Sequence, residues 1–118
     1  SPKIGTRAIR IRGTEAMQRT IPTTGYSDII VSFYMGASSL ENVEYVTADL
    51  WDGTAWTEMA RITNGDAREN SQLYAYTFTA PASADDKSNF IVRFRNLATG
   101  TTNDNMFIDN VLVTGIPL

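Results

Sequence analysis

Apolar side chains recur along this chain at every second residue, and that period dictates strands. RAIRIRG sets Ile9 and Ile11 on one side and Arg10 and Arg12 on the other, while DIIVSFYMG aligns Ile29, Val31, Phe33 and Met35. VEYVTADLW alternates Val46, Ala48 and Leu50 against Tyr45, Thr47, Asp49 and Trp51. QLYAYTFTA gathers Tyr74, Tyr76 and Phe78, NFIVRFRN gathers Phe90, Val92 and Phe94, and NMFIDNVLVTG is a β-branched run. A helix needs a repeat of 3.6 and cannot carry these patterns, because successive Cβ atoms point to opposite faces only in a strand. With EAMQRTI and WTEMARI added, about eight strands are expected, separated by turn signals at Thr24-Gly25, Asp52-Gly53, Asn64-Gly65, Ala80-Pro81 and Thr99-Gly100. PASADDKS holds at most one helical turn, with Pro81 suited to its first position. Short strands at this spacing predict an all-β fold, an antiparallel two-sheet β-sandwich, and eight strands favour the jelly roll over an immunoglobulin-type sandwich. The first and last strands are expected side by side, which suits a single module, residues 1–118, within a longer multidomain protein.

Composition narrows the chemistry. A chain of 118 residues that is 42% hydrophobic can bury one core without staples. It has no cysteine and no histidine, which excludes disulfides, thiolate nucleophiles, Ser-His-Asp triads and the usual zinc sites. The only lysines are Lys3 and Lys87, so an enzyme here would rest on Asp and Glu alone. Ten basic residues against thirteen acidic ones, with no basic stripe, argue against nucleic-acid binding. No apolar run approaches the roughly 18 residues that span a bilayer, so no membrane insertion is expected. The opening SPKIG does not read as a secretory signal.

In order along the chain, RAIRIRG, TIPTTGYSDIIVSFYMGA, DGTAWTEMARI, YTFTAP, NFIVRFRN and the closing MFIDNVLVTG resemble the jelly-roll modules appended to secreted bacterial glycoside hydrolases, proteases and adhesins. That group includes many carbohydrate-binding modules, and MAM-like and convertase P-domain-like sandwiches are similar. The resemblance covers nearly the whole chain. Its most specific elements are the closing F-I-D-N-V-x-V-x-G and the D-G-x-x-W hairpin. It implies an extracellular, non-catalytic module that holds an attached enzyme on a polysaccharide, with neighbouring domains of the same chain as further partners. The alternative is a structural or adhesive protein-interaction sandwich without a sugar site. The resemblance also implies a structural calcium ligated by Asp109, although RAIRIRG carries arginines where the family commonly has a second acid. Calcium wants six to eight oxygens, so Asp109 is alternatively a partner for Arg10 or Arg12.

Aromatic residues carry the stronger functional signal. With Val46, Ala48 and Leu50 facing the core, Tyr45, Thr47, Asp49 and Trp51 form the opposite row, about 20 Å long. Aromatic faces stack on the apolar C–H faces of sugars while hydroxyl and carboxylate neighbours hydrogen-bond the sugar hydroxyls. Trp51, Tyr45, Asp49, Thr47 and, across the hairpin, Glu58 are therefore the candidate carbohydrate-binding residues. The same row equally suits packing under a loop or against a neighbouring domain. Asp49 and Glu58, on adjacent strands of the hairpin, also come within range of a glycosidase reading, for which two surface acids on sheet edges are the simpler account. Tyr74, Tyr76 and Phe78 are expected in the core. Arg93 and Arg95 are expected in surface ion pairs, with a bidentate grip on an acidic polysaccharide as the other use. Asp104, in TTNDNM, and Asp85-Asp86-Lys87 read as polar turns, since no EF-hand pattern surrounds them.

The stretch WDGTAW holds both tryptophans, and its loop length decides what they do. A loop of Asp52 to Ala55 sets the two rings directly opposite each other. A three-residue loop from Gly53 to Ala55 pairs Asp52 with Trp56 and separates the rings. The second register is the expected one, with Trp56 inward, packing the hairpin, and Trp51 outward.

Overall fold

The alternating segments form strands wherever one row of side chains can be buried. In the computed structural model, residues 3–12, 15–97 and 104–118 are described, the first of these segments by its backbone alone. Within them lie β1 (Lys3–Arg12), β2 (Glu15–Thr20), β3 (Tyr26–Ser38), β4 (Tyr45–Trp51), β5 (Trp56–Thr63), β6 (Tyr74–Thr79), β7 (Ile91–Asn96) and β8 (Asn105–Pro117). One 3-10 turn, Ala82–Ala84, follows Pro81, which stands just before the turn rather than at its first position. The Thr99-Gly100 turn lies outside the described residues. Among the described residues no helix is long and apolar enough to cross a membrane.

All strand pairs are antiparallel, in two four-stranded sheets ordered β1-β8-β3-β6 and β2-β7-β4-β5. This is the jelly-roll arrangement, with the chain passing back and forth between layers, and the first and last strands are neighbours as the pattern implied. Ile29, Val31, Phe33, Met35 and Ala37 of β3 face Val46, Ala48 and Leu50 of β4 and Val92 and Phe94 of β7 across the core. Phe33 joins the layers, stacked on Tyr76 at 5.3 Å within its own sheet and edge-on to Phe94 of the other at 5.5 Å.

Two local features redirect a flanking loop in one sheet and side chains in the other. The loop ahead of β6 closes onto β3 where Ser71 N–H donates to Ala37 O at 3.0 Å, and the Gln72 carbonyl lies against Gly36 so closely that a Cβ there would collide with it. In the other sheet, a bulge between Ala48 and Asp49 shifts the β4–β5 register by one residue, with Met59 the extra residue on β5. Bulges re-aim side chains, and this one brings Glu58 and Arg61, three apart in sequence, to the same face. The outer strand β2 is short, polar and exposed throughout, which discourages edge-to-edge pairing with other chains.

Candidate functional site

The β4–β5 hairpin closes over four residues, 52–55. The Asp52 carboxylate organises it: Oδ1 accepts the Thr54 and Ala55 N–H groups, each at 2.8 Å, and Oδ2 accepts the Ser83 hydroxyl at 2.6 Å. Asp52 N–H also donates to Ala55 O at 3.2 Å, and Gly53 takes the left-handed conformation (φ 97°) that the turn requires. The Ser83 hydroxyl, followed by the two backbone amides, holds the Asp52 carboxyl below its ordinary 3.8. Because Asp52 is spent inside the turn, it does not pair with Trp56.

Trp51 pairs with Trp56 instead, and the rings lie 5.3 Å apart, tilted by 50°. The expected three-residue loop is therefore wrong, and so is the inward Trp56. Both rings point out of the sandwich; Trp51 is half-buried and Trp56 is 38% exposed. On this face the bulge continues the β5 row as Trp56, Glu58, Arg61 and Thr63, all exposed, opposite Trp51, Asp49, Thr47 and Tyr45.

Tyr45, Thr47, Asp49 and Trp51 share the outer face as expected, but the middle of the row is not open to solvent. Thr47 and Asp49 are 0% and 1% exposed. Their cover comes from β7, whose Arg95 pairs with Thr47 and Arg93 with Asp49 in the β4–β7 register. Asp49 Oδ2 accepts Arg93 Nε–H at 3.0 Å, Arg95 Nε–H at 2.8 Å and the Thr47 hydroxyl at 3.1 Å. Arg95 Nε–H is shared with Thr47 Oγ1 at 3.2 Å. A carboxylate removed from water needs such partners, and here two guanidinium groups provide them. The surface ion pairs expected for Arg93 and Arg95 are thus pairs with a buried acid.

Cations also lie on the aromatic rings. The Arg93 guanidinium carbon sits 3.6 Å from the centroid of one Trp56 ring, and that of Arg61 sits 3.9 Å from Tyr45. Arg61 is anchored in turn by Glu58, with Nη2 2.8 Å from Oε1. The surface is therefore a strip in which arginine and aromatic groups alternate: Arg61 on Tyr45, then Arg95 and Arg93 over Asp49, then Trp56 and Trp51. All five candidate binding residues stand on it. Trp56 and Arg61 were missed as members; their signal lay in the hairpin register and in the bulge.

Asp109 lies exposed on β8, opposite Tyr34 of β3. Among the described residues no trio of acidic side chains gathers around it or elsewhere. Calcium at Asp109 would need the rest of its oxygens from backbone carbonyls or from β1, whose side chains lie outside the described residues. Asp104 is buried rather than solvated, next to Asn96, whose Nδ2 donates to its carbonyl at 3.1 Å. The rest of its expected turn, residues 101–103, lies outside the described residues. The Asp85-Asp86-Lys87 stretch is a surface loop, with Asp86 Oδ1 accepting Gly25 N–H at 2.9 Å.

No protein-family model and no curated protein sequence matches the chain. Solved structures do match in fold. A family 61 carbohydrate-binding module in complex with β-1,4-galactotriose aligns with a TM-score of 0.56 at 12% identity, over 92% of this chain and 70% of that one. A family 4 carbohydrate-binding module aligns with a TM-score of 0.54 at 19% identity, over 93% and 77%. A two-module fragment of Clostridium thermocellum xylanase 10B, in which a family 22 module joins the catalytic one in complex with xylohexaose, aligns with a TM-score of 0.58 at 14% identity, over 94% and 22%. The chain shares the jelly-roll fold of these modules. At such identities the likeness is one of fold, and the strip of arginine and aromatic side chains belongs to this sequence itself.

Proposed function

We propose that the chain is a non-catalytic carbohydrate-binding module that holds an attached domain on a polysaccharide through the outer face of the β2-β7-β4-β5 sheet. The observation that carries this reading is the outward cross-strand pair Trp51–Trp56, set beside the fixed polar groups of Asp49, Arg93 and Arg95. An outward aromatic pair with one ring exposed and the other half-buried marks a binding surface. The Trp51–Trp56 pair packs against a sugar ring, and Glu58, Arg61, Arg93 and Arg95 meet its hydroxyls. Thr47 and Asp49 act from beneath by holding the arginines in place. Tyr45 extends the strip under the Arg61 guanidinium. Attachment raises the local concentration of the partner domain at the polymer without altering its chemistry.

A non-catalytic role is supported by the state of the two acids. A glycosidase needs one carboxyl kept neutral and a second free to act as base or nucleophile. Asp49 Oδ2 is taken up by Arg93 and Arg95, and the Glu58 carboxylate by Arg61, so neither acid is free to act on a substrate. The fold and this role fit a secreted bacterial protein in which the module is joined to an enzyme or adhesin. The test is affinity electrophoresis through gels containing neutral and acidic polysaccharides. Retardation by at least one glycan, lost in Trp56→Ala, is expected. Free migration through every glycan would overturn the reading in favour of a structural or adhesive sandwich.

A further inference from the structure

Two guanidinium groups resting on one carboxylate leave a positive charge and several donors over. Arg93 and Arg95 both reach Asp49 through Nε, and among the described residues their Nη groups donate no hydrogen bond. Each guanidinium has five N–H donors, so the Nη edge of each fork is unspent. The side chains are 18% and 30% exposed, enough for those edges to meet solvent. The position of the Arg93 fork is fixed twice, by Asp49 at its Nε and by the flat face of Trp56 3.6 Å away.

Charge on the strip points the same way. Arg61, Arg93 and Arg95 stand against Asp49 and Glu58, and because Arg61 is spent on Glu58, the surplus falls on the Arg93–Arg95 pair. The chain as a whole carries a net charge of -3, so this face is positive on a negative molecule. A generic polyanion trap would be basic overall; here one positive locus adjoins an indole platform. Guanidinium forks match planar carboxylates in geometry as well as in charge.

We infer that the module selects glycans bearing carboxylates: a uronic acid residue packs against the Trp51–Trp56 pair, beside the Trp56 face that Arg93 covers, while its carboxylate takes the Nη donors of Arg93 and Arg95. This rests on the carbohydrate-binding reading and specifies its ligand class. Asp49 and Thr47 are then positioning residues, which hold the forks at the height of the bound carboxylate without touching the sugar.

The test compares wild-type binding to polygalacturonate, to the same backbone fully methyl-esterified, to neutral xylan and to dextran sulfate, by affinity electrophoresis and calorimetry. The free acid binds about tenfold or more tightly than the ester at low salt, and the gap narrows as salt rises. Arg95→Gln and Arg95→Lys both shrink the acid-to-ester ratio toward one, the lysine variant because it keeps the charge and loses the fork. The wild-type comparison is independent of whether either variant folds. Equal affinity for acid and ester, or binding of dextran sulfate as tight as that of polygalacturonate, overturns the carboxylate preference and leaves sugar binding intact. Absence of binding to all four polymers overturns the carboxylate preference, and free migration through the wider panel of neutral and acidic glycans overturns the sugar-binding reading as well.

Discussion

Two aromatic pairs in this molecule have the same ring separation and opposite fates. Phe33 and Tyr76 stack at 5.3 Å on neighbouring strands, and Trp51 and Trp56 lie 5.3 Å apart across a hairpin. Each has an arginine beside it: Arg68 lies 5.0 Å from the Tyr74 and Tyr76 rings, and Arg93 lies 3.6 Å from Trp56. Tyr76 nevertheless faces inward, where Phe33 meets it from the core, while the tryptophans face out. Local composition therefore does not decide between a core row and a platform. The phase of the strand relative to its neighbours does, since a shift of one residue exchanges the faces.

The sharpest way to separate the two pairs is to remove one ring from each. Tyr76→Ala should cost about 2 to 3 kcal/mol of unfolding free energy, as for a half-buried aromatic packed on a core, and leave glycan affinity of the folded protein unchanged. Urea denaturation with parallel affinity electrophoresis reads both. Asp49→Asn comes next, at about 2 kcal/mol, because it leaves two guanidinium groups without the anion they cover. It should also weaken glycan binding, whereas an acid acting only on the surface would alter neither quantity. Trp56→Ala should show the reverse of Tyr76→Ala: less than about 1 kcal/mol of stability and at least about a tenfold loss of affinity. If Trp56→Ala were the more destabilising of the two aromatic variants, the contrast between core row and platform would fail.

Smaller effects concern the hairpin that aims the tryptophans. The Asp52 carboxyl titrates below 3.8 in the fold, so the stability it adds is complete above the unfolded value and is lost as pH falls through the lower folded one. The stability difference between wild type and Asp52→Asn should accordingly shrink as pH is taken below 3.8, and a difference constant with pH would show that the charge contributes nothing. The smallest expected effect is that of a chelator. Asp109 stands exposed on β8, and as a surface acid without a bound ion it should leave the melting temperature the same in calcium and in EDTA. A fall of several degrees on chelation would assign Asp109 a metal.

Much of this architecture is legible in one chain because period-two alternation is local. The eight strands, the inward Val46, Ala48 and Leu50 and the shared face of Tyr45, Thr47, Asp49 and Trp51 follow from it directly. The register of WDGTAW depended on one side chain, since Asp52 could either close the turn or pair with Trp56, and only its bonds to Thr54, Ala55 and Ser83 decide. The bulge at Ala48–Asp49 leaves no mark in the alternation of β4, so the company of Glu58 and Arg61 was hidden. Burial of Asp49 depends on β7, more than forty residues downstream in the chain. Alternation on β4 placed Asp49 on the outer face, and no local pattern could show that arginines cover it there.

The protein contains two tryptophans, and both are in the proposed site, so tryptophan fluorescence reports on that site alone. Titration with the glycan that retards the module most should give a saturable change in tryptophan emission that follows the binding isotherm. Saturable binding of that glycan with emission unchanged would place the ligand elsewhere and contradict a platform built on Trp51 and Trp56.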